Sequence, residues 1–190
     1  MFKKFNPQED IVSQVPIKSS VQRAIRTQVL EQFSSIEPFI DNVLPKKEKW
    51  ILIKCHGHLN LISINYGPPV LFNLRTGPYF PSLRLLHAYP FLLPRLQVDK
   101  GAIKHILKGA DIMCPGLTSA GARIDEALPS NRMVGIFAEG KEHALAIGIT
   151  KLSTEEIRNV NKGVAVENIH YLNDGLWKLE LEGTTSLSSC

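Results

Sequence analysis

The sequence predicts an α+β fold, in which an amino-terminal domain of helices packed on a small antiparallel sheet precedes a small closed or half-closed barrel. Three observations support this: strand-like segments occur in both halves of the chain, helix patterns precede the first group, and one helix pattern opens the second half. The 190 residues are 44% hydrophobic and 21% charged, which suits two compact domains of about 90 to 100 residues each. The predicted domains span 1–94 and 95–181, with a disordered tail over 182–190.

The amino-terminal domain is predicted to begin with two helices. The first spans 19–33, with Ser19 or Ser20 as its capping residue. Apolar side chains recur every four residues along it, as expected for one buried helix face: Val21, Ile25, Val29 and Phe33. Arg26 falls off this stripe. A second, short helix is predicted over 37–44, where it ends before a proline.

A small meander of strands is predicted next. The segments WILIKC, LNLISINY and VLFNL are rich in β-branched and aromatic residues, and turn signals at Gly57 and at 67–69 separate them. The following block is rich in proline. It leaves room for one short helix between Pro81 and Pro90, with Ser82 as its cap.

The second half opens with VDKGAIKHILKGADIMCPGL, residues 98–117. This stretch predicts one long helix from Lys100 that ends at a glycine and is followed at once by an apolar strand. Pro115-Gly116 is then predicted to turn the chain sharply. Such an arrangement places a helix amino terminus and a loop beside one sheet edge.

Most of the remaining chain is predicted to form strands. MVGIFA and HALAIGIT flank the polar EGKE and indicate a hairpin, while IHYL and LWKLEL flank a strong turn signal at 173–175. Between them, Ser153 and Glu156 have the spacing of a capping box for a short helix through Val160. Many short strands with one long helix favour a small barrel.

The helix from Lys100 carries a basic stripe beside its apolar face. At 100° per residue, Lys100, Lys104 and Lys108 fall on one arc about 80° wide. Gly101 in the first turn leaves the amides there open to a phosphate. These features favour an anion-binding helix. The alternative is that the lysines form a solvated face and that Gly101 packs against a neighbouring strand.

Charge and cysteine content narrow the class of protein. The formal net charge of +4 fits a nucleic-acid partner but also occurs in proteins that bind none. The number of cysteines is odd, and no two of them form a CxxC pair: they are Cys55, Cys114 and Cys190. This argues against a disulfide framework and predicts that the protein resides in a reducing compartment. Because no apolar run approaches the ~20 residues of a membrane span, a cytoplasmic location is expected.

Neither a metal site nor a catalytic site is predicted. Cys55, His56 and His58 lie together in KCHGHL, but consecutive strand residues point to opposite faces and structural zinc needs four placed ligands. The chain has no GxGxxG motif, no phosphate-binding loop and no nucleophile motif. We therefore expect no enzyme activity and no cofactor.

Several segments resemble the malignant T-cell-amplified family of translation factors. They cover most of residues 1–180, and they read MFKKF, KCHGH, GPYFPSLRLLHAYPFLLP, VDKGAIK, AEGKEHALAIGI and VNKGVAVENIHYLNDGLW. Within them, KGAIKHILKGADIMCPGL resembles the opening helix and strand of a PUA domain, an RNA-binding module. The resemblance implies that the second domain is a PUA pseudobarrel.

The resemblance also implies a function and partners. Members of this family pair with density-regulated protein, and the pair is similar to ligatin, which carries both parts in one chain. They act on the small ribosomal subunit in release of tRNA and mRNA after termination and in reinitiation, and tRNA recruitment is also ascribed to them. The implied partners are density-regulated protein, the small ribosomal subunit, rRNA and tRNA; neither DNA nor a membrane is expected.

The resemblance further implies an RNA face, with late strands near 163–168 as the wall opposite the helix. The implied RNA-binding residues are Lys100, Gly101, Ala102, Lys104, His105, Lys108, Gly109, Met113, Pro115, Gly116, Gly163, Val164 and Asn168. On this face the lysines neutralise phosphates and position RNA without reading its sequence. SAGARIDEALPSNR departs from the family pattern by its length and charge, so Arg123 and Arg132 could add or block contacts.

Two other functions remain open. One is a protein adaptor with a PUA fold, in which Tyr79, Phe80 and Phe91 offer a partner surface or instead close an inter-domain core. The other is an accessory subunit of an RNA-modifying enzyme, since PUA domains are often joined to catalytic domains. Against it, residues 1–94 carry no recognisable cofactor loop or nucleophile setting.

Overall fold

The structure is a computed structural model that describes residues 1–181. Its contacts divide the chain into two compact units: an amino-terminal unit of Asn6–Leu85 with the chain from Lys178, and a second unit of Met1–Phe5 with Leu86–Trp177. These units follow contacts rather than chain order, and the linear domain ranges stay a prediction. The predicted disordered tail, 182–190, lies outside the described residues.

The amino-terminal unit contains a five-stranded antiparallel meander, in which the strands lie in chain order. The strands are β1 (Ile11–Pro16), β2 (Trp50–Cys55), β3 (Leu59–Ile64), β4 (Leu71–Leu74) and β5 (Phe80–Pro81). The three predicted strand segments are confirmed as β2, β3 and β4. The edge strand β1 was not predicted, because most of its side chains are exposed and its sequence lacks the alternation of apolar and polar residues typical of a strand.

Helices accompany this sheet. They are α1 (Pro7–Asp10), α2 (Ser19–Gln32), a 3-10 helix (Ser34–Phe39), α3 (Ile40–Val43) and α4 (Leu83–Ala88). The helix predicted over 19–33 is confirmed, but its cap was wrong: Lys18 is the capping residue, without a side-chain hydrogen bond. The helix predicted over 37–44 is divided between the end of the 3-10 helix and α3. Because the helical turns begin earlier, at Ser34, Pro38 lies inside them and has no amide to donate. Ser82 caps α4 as predicted, since its Oγ accepts the Leu85 amide at 3.3 Å.

Arg26 is buried, although it lies off the predicted apolar stripe of α2. Its guanidinium donates to Asp41 Oδ1 at 2.6 Å and to the carbonyl of Leu44, so it ties α2 to the end of α3. The hydrogen bond from Arg26 holds the pKa of the Asp41 carboxyl below its usual range. The guanidinium of Arg26 therefore stabilises the contact between α2 and α3 in the amino-terminal unit.

The second unit contains a curled six-stranded sheet, which confirms the predicted α+β fold class and pseudobarrel. Its strands are β6 (Arg95–Val98), β7 (Ile112–Met113), β8 (Arg123–Ile124), β9 (Met133–Ala138), β10 (Ala146–Thr150) and β11 (Val164–Tyr171). They lie in the order β7-β11-β10-β9-β6-β8, and only the β6–β9 pair is parallel. The buried core includes Leu96, Val134, Ile136, Ala165 and Val166. The hairpin of β9 and β10 is the predicted one.

The long helix predicted from Lys100 is wrong. The chain instead forms a 3-10 helix over Lys100–Ala102 and one α-helical segment, α5 (Ile103–Ile106). Gly109, with φ +78°, ends this region as predicted. The predicted sharp turn at Pro115-Gly116 is also wrong, because proline is favoured in a first helical turn and here begins α6 (Pro115–Thr118).

Of the remaining predictions for the second unit, one is confirmed and one is wrong. The capping box forms at the start of α7 (Thr154–Val160), where Ser153 and Glu156 exchange hydrogen bonds. LWKLEL, in contrast, is not a strand. Asp174 accepts the amides of Tyr171 and Trp177, which folds the backbone back after β11. Within residues 1–181, no helix has the length and apolar character of a membrane span.

Candidate nucleic-acid interface

An open cavity of about 690 Å³ lies beside the amino-terminal end of the Lys100–Ala102 turn. We call it the groove. The predicted RNA-binding residues that line it are Lys100, Gly101, Ala102, His105, Met113, Pro115 and Gly116. Its other lining residues are Asp99, Ile106, Asp111, Ile112, Ser119, Ala120 and Glu139. The structure thus brings together residues from the helical turn, from β7 and from α6.

Asp99 organises this end of the groove, and the sequence analysis missed it. Its Oδ1 accepts the amide of Ala102 at 3.1 Å, as a helix cap does. Its Oδ2 accepts the hydroxyl of Ser119 at 2.7 Å, and its own amide donates to the carbonyl of Gly116. The sequence did contain a signal for this cap, because Asp99 directly precedes the predicted helix and aspartate is a common helix-capping residue.

Gly101 leaves space for the carboxylate of this cap. A Cβ at Gly101 would lie 2.9 Å from the Asp99 Oδ1, whereas a Cβ at Gly116 would only touch Ala102 at an ordinary 3.6 Å. The glycine therefore leaves room for the capping carboxylate, which neither of the two sequence interpretations had foreseen.

The groove has an uneven distribution of charge. Lys100, Lys104 and Lys108 are exposed, and none forms an ion pair within the described residues. Lys104 and Lys108 are outside the groove lining. Asp99, Asp111 and Glu139 line the groove together with Lys100, so the lining contains more carboxylates than lysines.

Asn168 and Gly109 shape the helix end rather than line the groove. Asn168 is buried, and its Nδ2 donates to the carbonyls of Ile106 and Ala110 at 3.2 and 3.0 Å. Its backbone amide donates to Asp111 Oδ1 at 2.9 Å. A Cβ on Gly109 would lie 2.8 Å from the Tyr171 Oη. Both residues thus shape the backbone where the helical segment ends.

Gly163 and Val164 lie beside β7 and not opposite it. Val164 is the register partner of Met113 in the antiparallel pair of β7 and β11, and the Gly163 carbonyl accepts the amide of Cys114 at 3.0 Å. Backbone pairing places β11 next to β7 in one sheet. Gly163, Val164 and Asn168 are not among the residues that line the groove, and the wall expected opposite the helix stays a prediction. Met113 itself is 48% exposed, so it offers an apolar contact on the groove side.

Gly109→Ala is expected to lower the free energy of unfolding by about 2 to 4 kcal/mol, since it combines a left-handed backbone with a clash against Tyr171. Gly140→Ala is the matched control: its φ is +71°, but a Cβ there meets nothing within 4 Å. We expect it to cost about 1 kcal/mol. Urea unfolding of both variants measures the difference. Equal losses would show that the Tyr171 contact does not matter.

Both halves of the chain match known domain families. Residues 5–90 match the Pre-PUA-like domain, and residues 94–172 match the PUA domain. Mouse Malignant T-cell-amplified sequence 2 is 49% identical over 180 residues, which cover 95% of this chain and 98% of that protein. A Drosophila melanogaster homolog of Malignant T-cell-amplified sequence 1 is 51% identical, with 94% and 97% covered.

Solved structures share the fold. The crystal structure of a hypothetical protein from Pyrococcus horikoshii matches with a TM-score of 0.67 at 27% identity, over 87% of this chain and 98% of that one. A PUA domain protein from Thermoplasma acidophilum matches with a TM-score of 0.63 at 23% identity, over 86% and 97%. The fold of this chain is therefore shared with both solved structures.

Proposed function

The chain belongs to the malignant T-cell-amplified family, and we propose on this basis that it is a non-catalytic RNA-binding translation factor. It acts in the cytoplasm with density-regulated protein, as one half of a heterodimer, on the small ribosomal subunit. Its role there is release of tRNA and mRNA after termination, reinitiation, and recruitment of tRNA. The observation that carries the proposal is the exposure of Lys100, which lines the groove of a PUA domain, and of Lys104 and Lys108 close to it in sequence.

The groove supports contact with an RNA backbone. Lys100, Lys104 and Lys108 lack acidic partners within residues 1–181, so binding phosphates does not first require breaking an ion pair. Such contacts release counterions and depend strongly on salt. They position RNA but read no sequence, which suits a factor that recognises the shape of rRNA or tRNA.

An adaptor function has weaker support. Of the three aromatic residues considered for a partner surface, Phe91 is 49% exposed, whereas Phe80 is buried and stacked on Phe72. Tyr79 is half-buried, and Gln32 binds both its amide and its carbonyl. A single exposed ring makes a small contact compared with a stable protein interface.

Co-sedimentation with purified small ribosomal subunits tests the proposal. The chain is spun with subunits at two salt concentrations, with and without density-regulated protein. We expect binding that weakens at higher salt and strengthens with the partner. The control is the large subunit under the same conditions. Absence of binding in every condition would contradict the translation-factor function, and binding indifferent to the partner would contradict the heterodimer.

A further inference from the structure

A second pocket lies in the amino-terminal unit, where the ends of the central strands form it. It has a volume of about 520 Å³ and is lined by Lys54, Cys55, His58, Asn60, Arg75 and Thr76. Lys54 and Cys55 end β2, Asn60 lies in β3, and Arg75 and Thr76 follow β4. We call this the strand-end pocket.

The strand-end pocket is positively charged. Lys54, His58 and Arg75 are exposed, and no acidic residue is among the lining residues described. Neither Lys54 nor Arg75 forms an ion pair within residues 1–181. Burial, with a smaller effect of the Asp10 charge, raises the pKa of the Cys55 thiol to about 11, so the thiol stays neutral at physiological pH.

The backbone holds the basic residues in a fixed arrangement. Arg75 and His58 both have left-handed backbones, with φ +54° and +62°, which L-residues adopt rarely. The Arg75 amide donates to the His58 carbonyl at 2.9 Å. The Arg75 carbonyl accepts from the Nδ2 atoms of Asn60 and Asn73 at 3.3 and 3.4 Å. These bonds hold an uncommon conformation that brings Arg75 next to His58.

We propose that the strand-end pocket binds phosphates of an RNA backbone, as a second RNA contact on a different unit from the groove. Arginine presents a planar fork of donors that matches a phosphate, and lysine adds a compact charge. Asn60 and Thr76 supply further hydrogen-bonding groups. No Phe, Tyr or Trp lines the pocket, so it lacks a large platform for base stacking. The choice of RNA as ligand rests on the proposed function.

The test compares full-length variants by fluorescence anisotropy with a labelled rRNA hairpin at several salt concentrations. Lys54→Gln with Arg75→Gln removes two charges and keeps long polar side chains. We expect binding about tenfold weaker at low salt, and a log–log salt slope shallower by up to about 1.8, which corresponds to two phosphates. Unchanged thermal unfolding shows that the variant folds.

Lys18→Gln with Arg23→Gln is the matched control. Both side chains are exposed in the amino-terminal unit, and neither lines the strand-end pocket. This control removes the same charge and should bind RNA as the unmodified chain does. An equal loss in the control would mean that net charge alone matters and would overturn the proposal. Unchanged affinity and slope in the Lys54/Arg75 variant would also overturn it.

The two proposals fail in different ways. If changing Lys100, Lys104 and Lys108 has no effect while the Lys54/Arg75 variant loses affinity, the strand-end pocket stands and the placement of RNA at the groove fails. If only Lys100, Lys104 and Lys108 affect binding, the proposal for the strand-end pocket fails. If the unmodified chain binds no RNA, both fail. Binding to poly-glutamate is measured with the same Lys54/Arg75 variant. If this variant loses as much affinity for poly-glutamate as for RNA, the pocket attracts anions in general and the assignment to RNA is overturned.

Discussion

Changing Lys100, Lys104 and Lys108 together to glutamate is expected to weaken RNA binding by at least about 100-fold at low salt. All three side chains are exposed and lack ion-pair partners in the described chain. If each lysine neutralises one phosphate of a duplex, the log–log salt slope becomes shallower by up to about 2.7. Anisotropy with the same rRNA hairpin, followed by co-sedimentation with small subunits, measures both quantities.

A control for this variant must change the same charge elsewhere in the second unit. Lys3, Lys4 and Lys141 are exposed there and do not line the groove. Their change to glutamate shifts the net charge by the same amount, and binding should fall far less because long-range effects between exposed charges are screened. If the Lys100/Lys104/Lys108 variant kept the salt slope of the unmodified chain, RNA would not contact these lysines.

Features set by neighbouring residues could be predicted from the sequence. Ser153 and Glu156 form their capping box, and β9 and β10 form their hairpin, because each depends on residues a few positions apart. The end of the helical region at Gly109 was visible for the same reason. The single helical face expected for the three lysines did not form, because Lys100 lies in a 3-10 turn, Lys104 in α5 and Lys108 after α5.

Features set by distant residues could not be predicted. Arg26 is buried by partners on another helix, and β6 pairs in parallel with β9 across a long stretch of chain. The mixed charge of the groove has this origin only in part. Asp99 and Asp111 belong to the same stretch of sequence as Lys100, whereas Glu139 follows β9 and lies at the groove because β9 pairs with β6. Local patterns thus identified Lys100 but not the distant carboxylate of Glu139.

A buried carboxylate holds the loop after β11 in the second unit. The Asp174 Oδ2 lies 2.7 Å from His170 Nδ1 and accepts the Tyr171 amide at 3.0 Å, while Oδ1 accepts the Trp177 amide at 2.9 Å. The side chains of His170 and Asp174 are almost fully buried, at 1% and 0% exposure. The His170 ring also packs edge-on against Phe2. One carboxylate therefore satisfies three polar groups.

Asp174→Ala is expected to lower the free energy of unfolding by about 3 to 5 kcal/mol, because it leaves a buried imidazole and two amides without their acceptor. Urea unfolding followed by circular dichroism measures the loss. Asp125→Ala is the control, since it removes an exposed carboxylate that pairs with Arg123 at 2.8 Å. Such surface pairs contribute about 0 to 1 kcal/mol. If the two variants lost equal stability, the loop would be held by its apolar contacts rather than by Asp174.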